Sequence, residues 1–197
     1  MTRTELSQVT GFNIVTVSNY VSQFMKAGLV SERGYDVSTG GRKPILVELN
    51  ANTGFAVGVD LGPMNATQSS MTAVITDLKG KIKHRIRKTR ASMNMDALIQ
   101  GTAELIRELL ESSPVDPKKI QGVGVGMPGI LDERAGTVRD TARGGIRANY
   151  ASVREELETQ FKLPVLMGND AALAGYGELR LGLDRSVENL VYLYSDV

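Results

Sequence analysis

Phe55-Ala-Val-Gly-Val-Asp-Leu-Gly62 reads as a strand that runs straight into a glycine turn, and the elements on its C-terminal side decide the fold. Met71–Asp77 has the composition of a second strand and Ile82–Thr89 that of a third, with Leu78-Lys-Gly-Lys81 as the hairpin turn between them. Leu98, Thr102, Leu105, Ile106 and Leu109 recur at helical period, which predicts a helix from Met95 to about Ser112. Pro114 and Pro117 punctuate the loop beyond it. Ile120–Met127 is rich in valine and glycine and reads as a strand closing on Pro128-Gly129. A helix over Ser152–Phe161, a strand over Leu163–Met167, a helix from Asp170 to about Leu181 and a final strand over Leu190–Tyr194 complete the pattern.

The expected order, three strands and then alternating helices and strands, is that of an α/β ribonuclease-H-like lobe, as in actin-like ATPases. In such lobes the turn after the first strand approaches a phosphate, and an aspartate can stand on the phosphoryl-transfer path.

Working back toward the N-terminus, the texture changes. Asn50-Ala-Asn-Thr53 is a polar turn, so residues 54–197 are expected to form the lobe and residues 1–50 a separate module. In that module Thr2-Arg-Thr-Glu5 has capping-box spacing, and Leu6 and Val9 would share a face of the helix it opens. Gly11 breaks this helix and Asn13 is placed to cap a second one, from Ile14 to about Ala27. Ile14, Val17, Val21, Phe24 and Met25 fall on one stripe, with Val15, Thr16, Asn19, Gln23 and Lys26 on the other side. Gly28 ends the helix. Leu29-Val30 starts a strand, Gly34 and Ser38 to Gly41 make a turn, and Ile45–Leu49 returns.

A short helix, a glycine turn, a longer helix and a hairpin make the winged helix-turn-helix pattern, whose second helix enters the major groove of DNA. Asn13, Thr16, Asn19, Tyr20 and Gln23 are the expected DNA contacts: Thr16 toward a phosphate or a thymine methyl, Asn19 toward adenine. The alternative is that they form only the solvated side of an amphipathic helix. Gly40-Gly-Arg-Lys-Pro44 would put Arg42 and Lys43 on a stiff hairpin tip, suited to a minor groove. A winged helix needs a further helix ahead of this pair, and only one residue precedes Thr2, so the module is expected to lack its first helix.

Composition narrows the classes further. At 197 residues, 42% hydrophobic, the chain is long enough for one α/β domain and a small module. A net charge of +1 gives no global pull on nucleic acid, so DNA binding must rest on local geometry. The absence of cysteine excludes disulfides and thiolate metal sites within this sequence and fits a reducing compartment. Neither a signal peptide nor an apolar run of membrane-spanning length is visible, so the expectation is a cytoplasmic protein with no membrane partner.

Gly41-Arg-Lys-Pro44, Gly58-Val-Asp-Leu-Gly62, Gly122-Val-Gly-Val-Gly-Met-Pro-Gly-Ile-Leu-Asp132, Gly168-Asn-Asp-Ala171 and Gly177-Glu178 occur in an order that resembles the ROK family of repressors, open reading frames and sugar kinases. With the DNA-binding module in front, the chain is similar to the repressor branch, among the xylose and N-acetylglucosamine regulators. The resemblance implies that Asp60 and Gly62 belong to a phosphate loop and that Gly126, Pro128 and Gly129 shape a sugar pocket. Asn169 would bond a sugar hydroxyl, and Asp170 would be the base in a kinase or bind that hydroxyl in a repressor. Glu178 would support the pocket. The implied partners are a double-stranded DNA operator and a sugar or sugar-phosphate effector, in a homo-oligomer when full length.

The sequence also departs from that family. The phosphate turn is long and begins with Pro63, which has no amide hydrogen, so ATP is not expected. Arg143 and Ile146 stand where the family often has asparagine and tryptophan; Arg143 suits a carboxylate or phosphate on the effector. The family's second phosphate loop and its zinc motif would both lie beyond Val197, so no metal or other cofactor and no second lobe are expected in this chain. The leading expectation is a sugar-responsive transcription regulator or its N-terminal part, without enzymatic activity. The alternatives are a sugar kinase, on Asp60, Asn169 and Asp170, and a truncated product without function. The basic alternation of Lys79, Lys81, Lys83, Arg85 and Arg87 reads as a protected sheet edge, and His84 as structural.

Overall fold

The computed structural model describes residues 1–35, 45–62, 69–90, 95–132, 134–139, 146–182 and 187–193. By its contacts the chain divides into two compact units, Met1–Thr53 and Gly54–Val197.

In the small unit, α1 (Arg3–Thr10) opens on a capping box: Thr2 Oγ1 accepts from the Glu5 amide at 3.1 Å, and the Glu5 carboxylate accepts from the Thr2 amide at 2.7 Å. Gly11, at φ 72°, ends it. Helix α2 (Ile14–Lys26) is capped by Asn13, whose Oδ1 accepts from the Thr16 amide at 2.8 Å. It stops in a Schellman turn: the Gly28 amide bonds the Met25 carbonyl and the Leu29 amide the Phe24 carbonyl. Gly28 sits at φ 73°, where a side chain would be strained. Strands β1 (Val30–Tyr35) and β2 (Ile45–Leu49) pair antiparallel, and Thr2 bridges to Leu46. The core is Val17, Val21 and Val47, with Leu6, Met25 and Val30 against it.

Three expectations for this unit are corrected. Val9 is 74% exposed, because it falls at the free end of a helix barely two turns long. Ile14, at the first position of α2, and Phe24, at the edge of its stripe, are about half exposed, since so small a core reaches only the residues nearest its centre. Gly34 belongs to β1 rather than to a turn; at φ 57° it accompanies a register shift between Glu32 and Tyr35, a bulge that lets the strand run on. The hairpin tip at 36–44, with Arg42 and Lys43, lies outside the described residues.

The large unit is a mixed α/β structure. Its central sheet is built from β3 (Phe55–Asp60), β4 (Ser69–Asp77), β5 (Ile82–Arg90), β6 (Ile120–Met127) and, further along the chain, β10 (Val165–Asn169), in the order β10-β6-β3-β4-β5. Strands β10, β6 and β3 are parallel and the β3-β4-β5 meander is antiparallel. Helices α3 (Met95–Ser112) and α4 (Tyr150–Phe161) cover one face. Their Leu98, Leu105, Ile106, Leu109, Val153 and Leu157 bury against Val57, Ala73, Ile75 and Val125. Thr102 is fully buried, and its hydroxyl is satisfied by the Leu98 carbonyl at 2.7 Å. Asp77 ties the β4–β5 turn, accepting from the Lys79 and Lys81 amides and pairing with Lys83 at 3.0 Å.

Other expectations fail for local reasons. A three-stranded sheet, β7 (Ile130–Asp132), β8 (Thr137–Arg139) and β9 (Ile146–Asn149), fills the stretch after Gly129. Strands of three or four residues carry no readable alternation. Pro164 delays β10 to Val165, and the Asn149 cap starts α4 at Tyr150. Helix α5 (Asp170–Gly177) gives way to a π-helical turn over Glu178–Gly182 instead of running on to Leu181, its last turns weakened by Gly175 and Gly177. The final strand is corrected: among the described residues, 187–193 have no ladder partner, Tyr194 lies outside the described residues, and Tyr192 lies against Gly175 of α5 instead. Among the described residues no helix is long and apolar enough to cross a membrane.

Candidate functional site

Three parallel strands end side by side, which is where open α/β sheets place their ligands. Asp60, Gly126 and Gly168 stand in register across β3, β6 and β10, so Asp60-Leu-Gly62, Met127-Pro-Gly129 and Asn169-Asp170 line up along one rim. A cavity of about 630 Å³ opens there, lined by Asp60, Gly126 and Asp170, with Gly58, Gly124, Thr72 and Arg85 toward the sheet and Tyr192 at the side. Glycine at 58, 124 and 126 keeps this face low. A side chain at Gly126 would come 3.5 Å from the Asp170 backbone.

Asp170 spends one oxygen on the Ala171 amide at 2.8 Å and the Asn169 side chain at 3.2 Å. Its other oxygen, Oδ2, has no partner among the described residues. The cap of α5 is Asn169, not Asp170: Asn169 Oδ1 accepts from the Ala172 amide at 2.8 Å. The Asn169 amide group also donates to the Gly129 carbonyl at 2.9 Å. Asn169 and Gly129 line a second, smaller cavity of about 420 Å³ with Ile130, Leu131, Met167 and Gly168. The expected sugar residues are therefore shared between two hollows, with Pro128 at the bend between them and lining neither. Glu178 is exposed, folds toward Gly182 and lines neither hollow. Arg143 lies outside the described residues.

The expected phosphate loop has spent its described donors. The Gly62 amide donates to Asp60 Oδ1 at 2.9 Å, and the Leu61 amide to the Gly126 carbonyl at 3.2 Å. Gly62 is required here: at φ 65°, a side chain on it would collide with the Ser70 carbonyl. No group of three or more His, Asp or Glu among the described residues is placed to hold a metal ion.

On α2, Asn19, Tyr20 and Gln23 are exposed and Thr16 is half-buried. Asn13 is exposed but its carbonyl oxygen is held in the cap, leaving only its amide group to donate outward. Tyr20 stacks on Phe24 with ring centroids 6.2 Å apart and meets Phe12 at 6.5 Å. Sequence reasoning missed Arg85 as a cavity residue. It alternates with His84 and Ile86, which face α3 and the core, so its direction becomes legible once the buried face of β5 is known.

The sequence profile of the ROK family matches residues 56–195, well over half of the chain. The chain belongs to the ROK family. It is 30% identical to the xylose repressor of Caldicellulosiruptor bescii over 98% of its own length and 47% of the relative's. In fold it is similar to a ROK family transcriptional regulator described as a homologue of the E. coli MLC protein, with a TM-score of 0.65 at 18% identity, covering 91% of this chain and 44% of that one. It is also similar to a Streptomyces griseus ROK family glucokinase solved with glucose and AMPPNP, with a TM-score of 0.53 at 23% identity over 66% of this chain and 38% of that one. This ROK chain thus spans about half the length of the curated relatives it matches. The large unit shares its α/β fold with the regulator and with the actin-like lobe of the sugar kinase.

Proposed function

We propose that this chain is the operator-binding and effector-sensing part of a sugar-responsive transcription regulator. One observation carries the reading. The likeness to the regulator extends over 91% of the chain and that to the glucokinase over 66%, a difference about the size of the Met1–Thr53 unit. That unit has a helix pair and a hairpin, the parts of a winged helix-turn-helix. Its α2 turns Asn19 and Gln23 outward, opposite buried Val17 and Val21. In this reading α2 lies in the major groove of a double-stranded operator while Arg42 and Lys43 reach an adjacent minor groove.

The effector is a sugar or sugar phosphate in the cleft at the strand ends. Asp170 Oδ2, without a partner among the described residues, is the acceptor for a hydroxyl, and Asp60 and Arg85 add polar groups above a glycine floor. Binding there changes the geometry of a homo-oligomer and hence the spacing of its two DNA-reading helices. The test is a mobility shift of promoter DNA by the full chain. Affinity is expected to fall linearly with salt on logarithmic axes and to depend on sequence. No complex at low salt refutes the reading.

A sugar kinase is the second reading, favoured by the Asp170 oxygen at the strand ends that has no partner among the described residues. It requires sugar-dependent consumption of ATP by the full chain, and none is expected.

A further inference from the structure

Helix α2 has one exposed residue on its outward side that the solvated face of a helix does not call for. Val17, Val21 and Met25 fix the buried side. At about 100° per residue the opposite side belongs to Val15, Thr16, Asn19, Gln23 and Lys26. Four of these are polar. Val15 is branched, apolar and 66% exposed. It is a poorer helix former than alanine or lysine, so neither propensity nor packing accounts for it. Nor is it part of the neighbouring aromatic row, because Phe12, Tyr20 and Phe24 contact one another on a different flank.

Its position says what it fits. Val15 lies in the first turn of α2, the part of a recognition helix that comes nearest to base edges. Asn19 is one turn further on along the same face, about 6 Å along the axis, which spans roughly two base-pair steps of 3.4 Å. An apolar side chain in the major groove has one complementary base feature, the C5-methyl group of thymine, and an asparagine pairs best with adenine. Thr16, the other residue of this turn with a methyl group, is half-buried, whereas Val15 is exposed.

We propose that Val15 is a base-reading residue, which packs against a thymine methyl while Asn19 bonds an adenine one or two steps away, so that α2 selects A·T pairs at adjacent positions of its half-site. The inference rests on the DNA-binding reading, and the experiment separates the two. Duplexes are selected from a randomised pool with the full chain at low salt. Each thymine of the selected site is then replaced in turn by deoxyuridine, which removes only the methyl group.

One such replacement is expected to weaken binding about four-fold, the worth of one buried methyl group. Val15→Ala is expected to bind the thymine and uridine duplexes equally, and Val15→Thr, which keeps one methyl, to fall between. Asn19→Ala is expected to lose its preference for adenine at the neighbouring position and to keep the sensitivity to uridine. Because alanine favours helix, an unchanged melting curve shows that Val15→Ala is folded. Selective binding with no sensitivity to uridine, or the same sensitivity in Val15→Ala, overturns this proposal alone. If no duplex is enriched, the DNA-binding reading falls, and this proposal with it.

Discussion

The two units of this chain solve the same problem with very different means. The large unit buries a continuous core beneath two helices, with Leu105, Ile106, Leu109, Val125 and Val153 all inaccessible to solvent. The small unit has three buried valines among its described residues and relies on its ends: a capping box on α1, an asparagine cap and a Schellman turn on α2, and a bridge from Thr2 to Leu46. Burial is cumulative and tolerant, whereas caps are few and each is a larger share of the total. Each unit is therefore vulnerable in a different place.

The largest effect is expected from Leu105→Ala, a cavity in the main core costing about 3 kcal/mol in chemical denaturation. Val21→Ala removes less volume and is expected to cost about 1–2 kcal/mol. It should nevertheless abolish hydrogen-exchange protection of α2 while leaving α3 protected. If both units lose protection together, the contrast between them is wrong. Thr2→Ala breaks the capping box and is expected to cost about 1 kcal/mol, confined to the small unit and visible as faster exchange in α1 and β2.

Smallest at neutral pH is Asp77→Asn, which keeps the side-chain oxygen for the Lys79 and Lys81 amides and loses the charge that meets Lys83. Burial by itself would raise the Asp77 pKa, but the Lys83 hydrogen bond, the Lys81 and Lys79 amides and the Lys83 charge outweigh it and hold the carboxyl below its ordinary value. Its stabilising contribution is therefore present above the unfolded-state pKa of about 3.9 and is lost as pH falls through the lower folded value. Wild type is expected to lose stability more steeply than Asp77→Asn below about pH 4, in melts run across that range.

The elements that sequence made legible are those with repeated signals. The five-position stripe of α3 predicted its ends and its buried face together. The capping residues Thr2 and Asn13 and the terminating Gly11 and Gly28 located both short helices. Elements held by one or two residues were not legible: β7, β8 and β9 are too short for a period, and a strand at Leu190 had composition in its favour but no partner among the described residues.

At the candidate site, the order of motifs pointed to Asp60, Gly126 and Asp170, which strand register brings to one cleft. Sequence could not show that Asn169 would spend its polar atoms on neighbours, since three hydrogen bonds leave no mark in one residue type. Val15 was likewise visible on the outward side of α2, but its significance depends on knowing how narrow the buried stripe is.

Asn169 joins three parts that would otherwise move separately. Its amide group holds the loop ahead of β7 and the Asp170 carboxylate, and its oxygen holds the first turn of α5. A guest that drew that side chain toward its own hydroxyls would unfasten loop, carboxylate and helix in one motion. The keystone of the strand-end rim is thus a single neutral residue, whose grip rests on hydrogen-bonding geometry and not on a charge of its own.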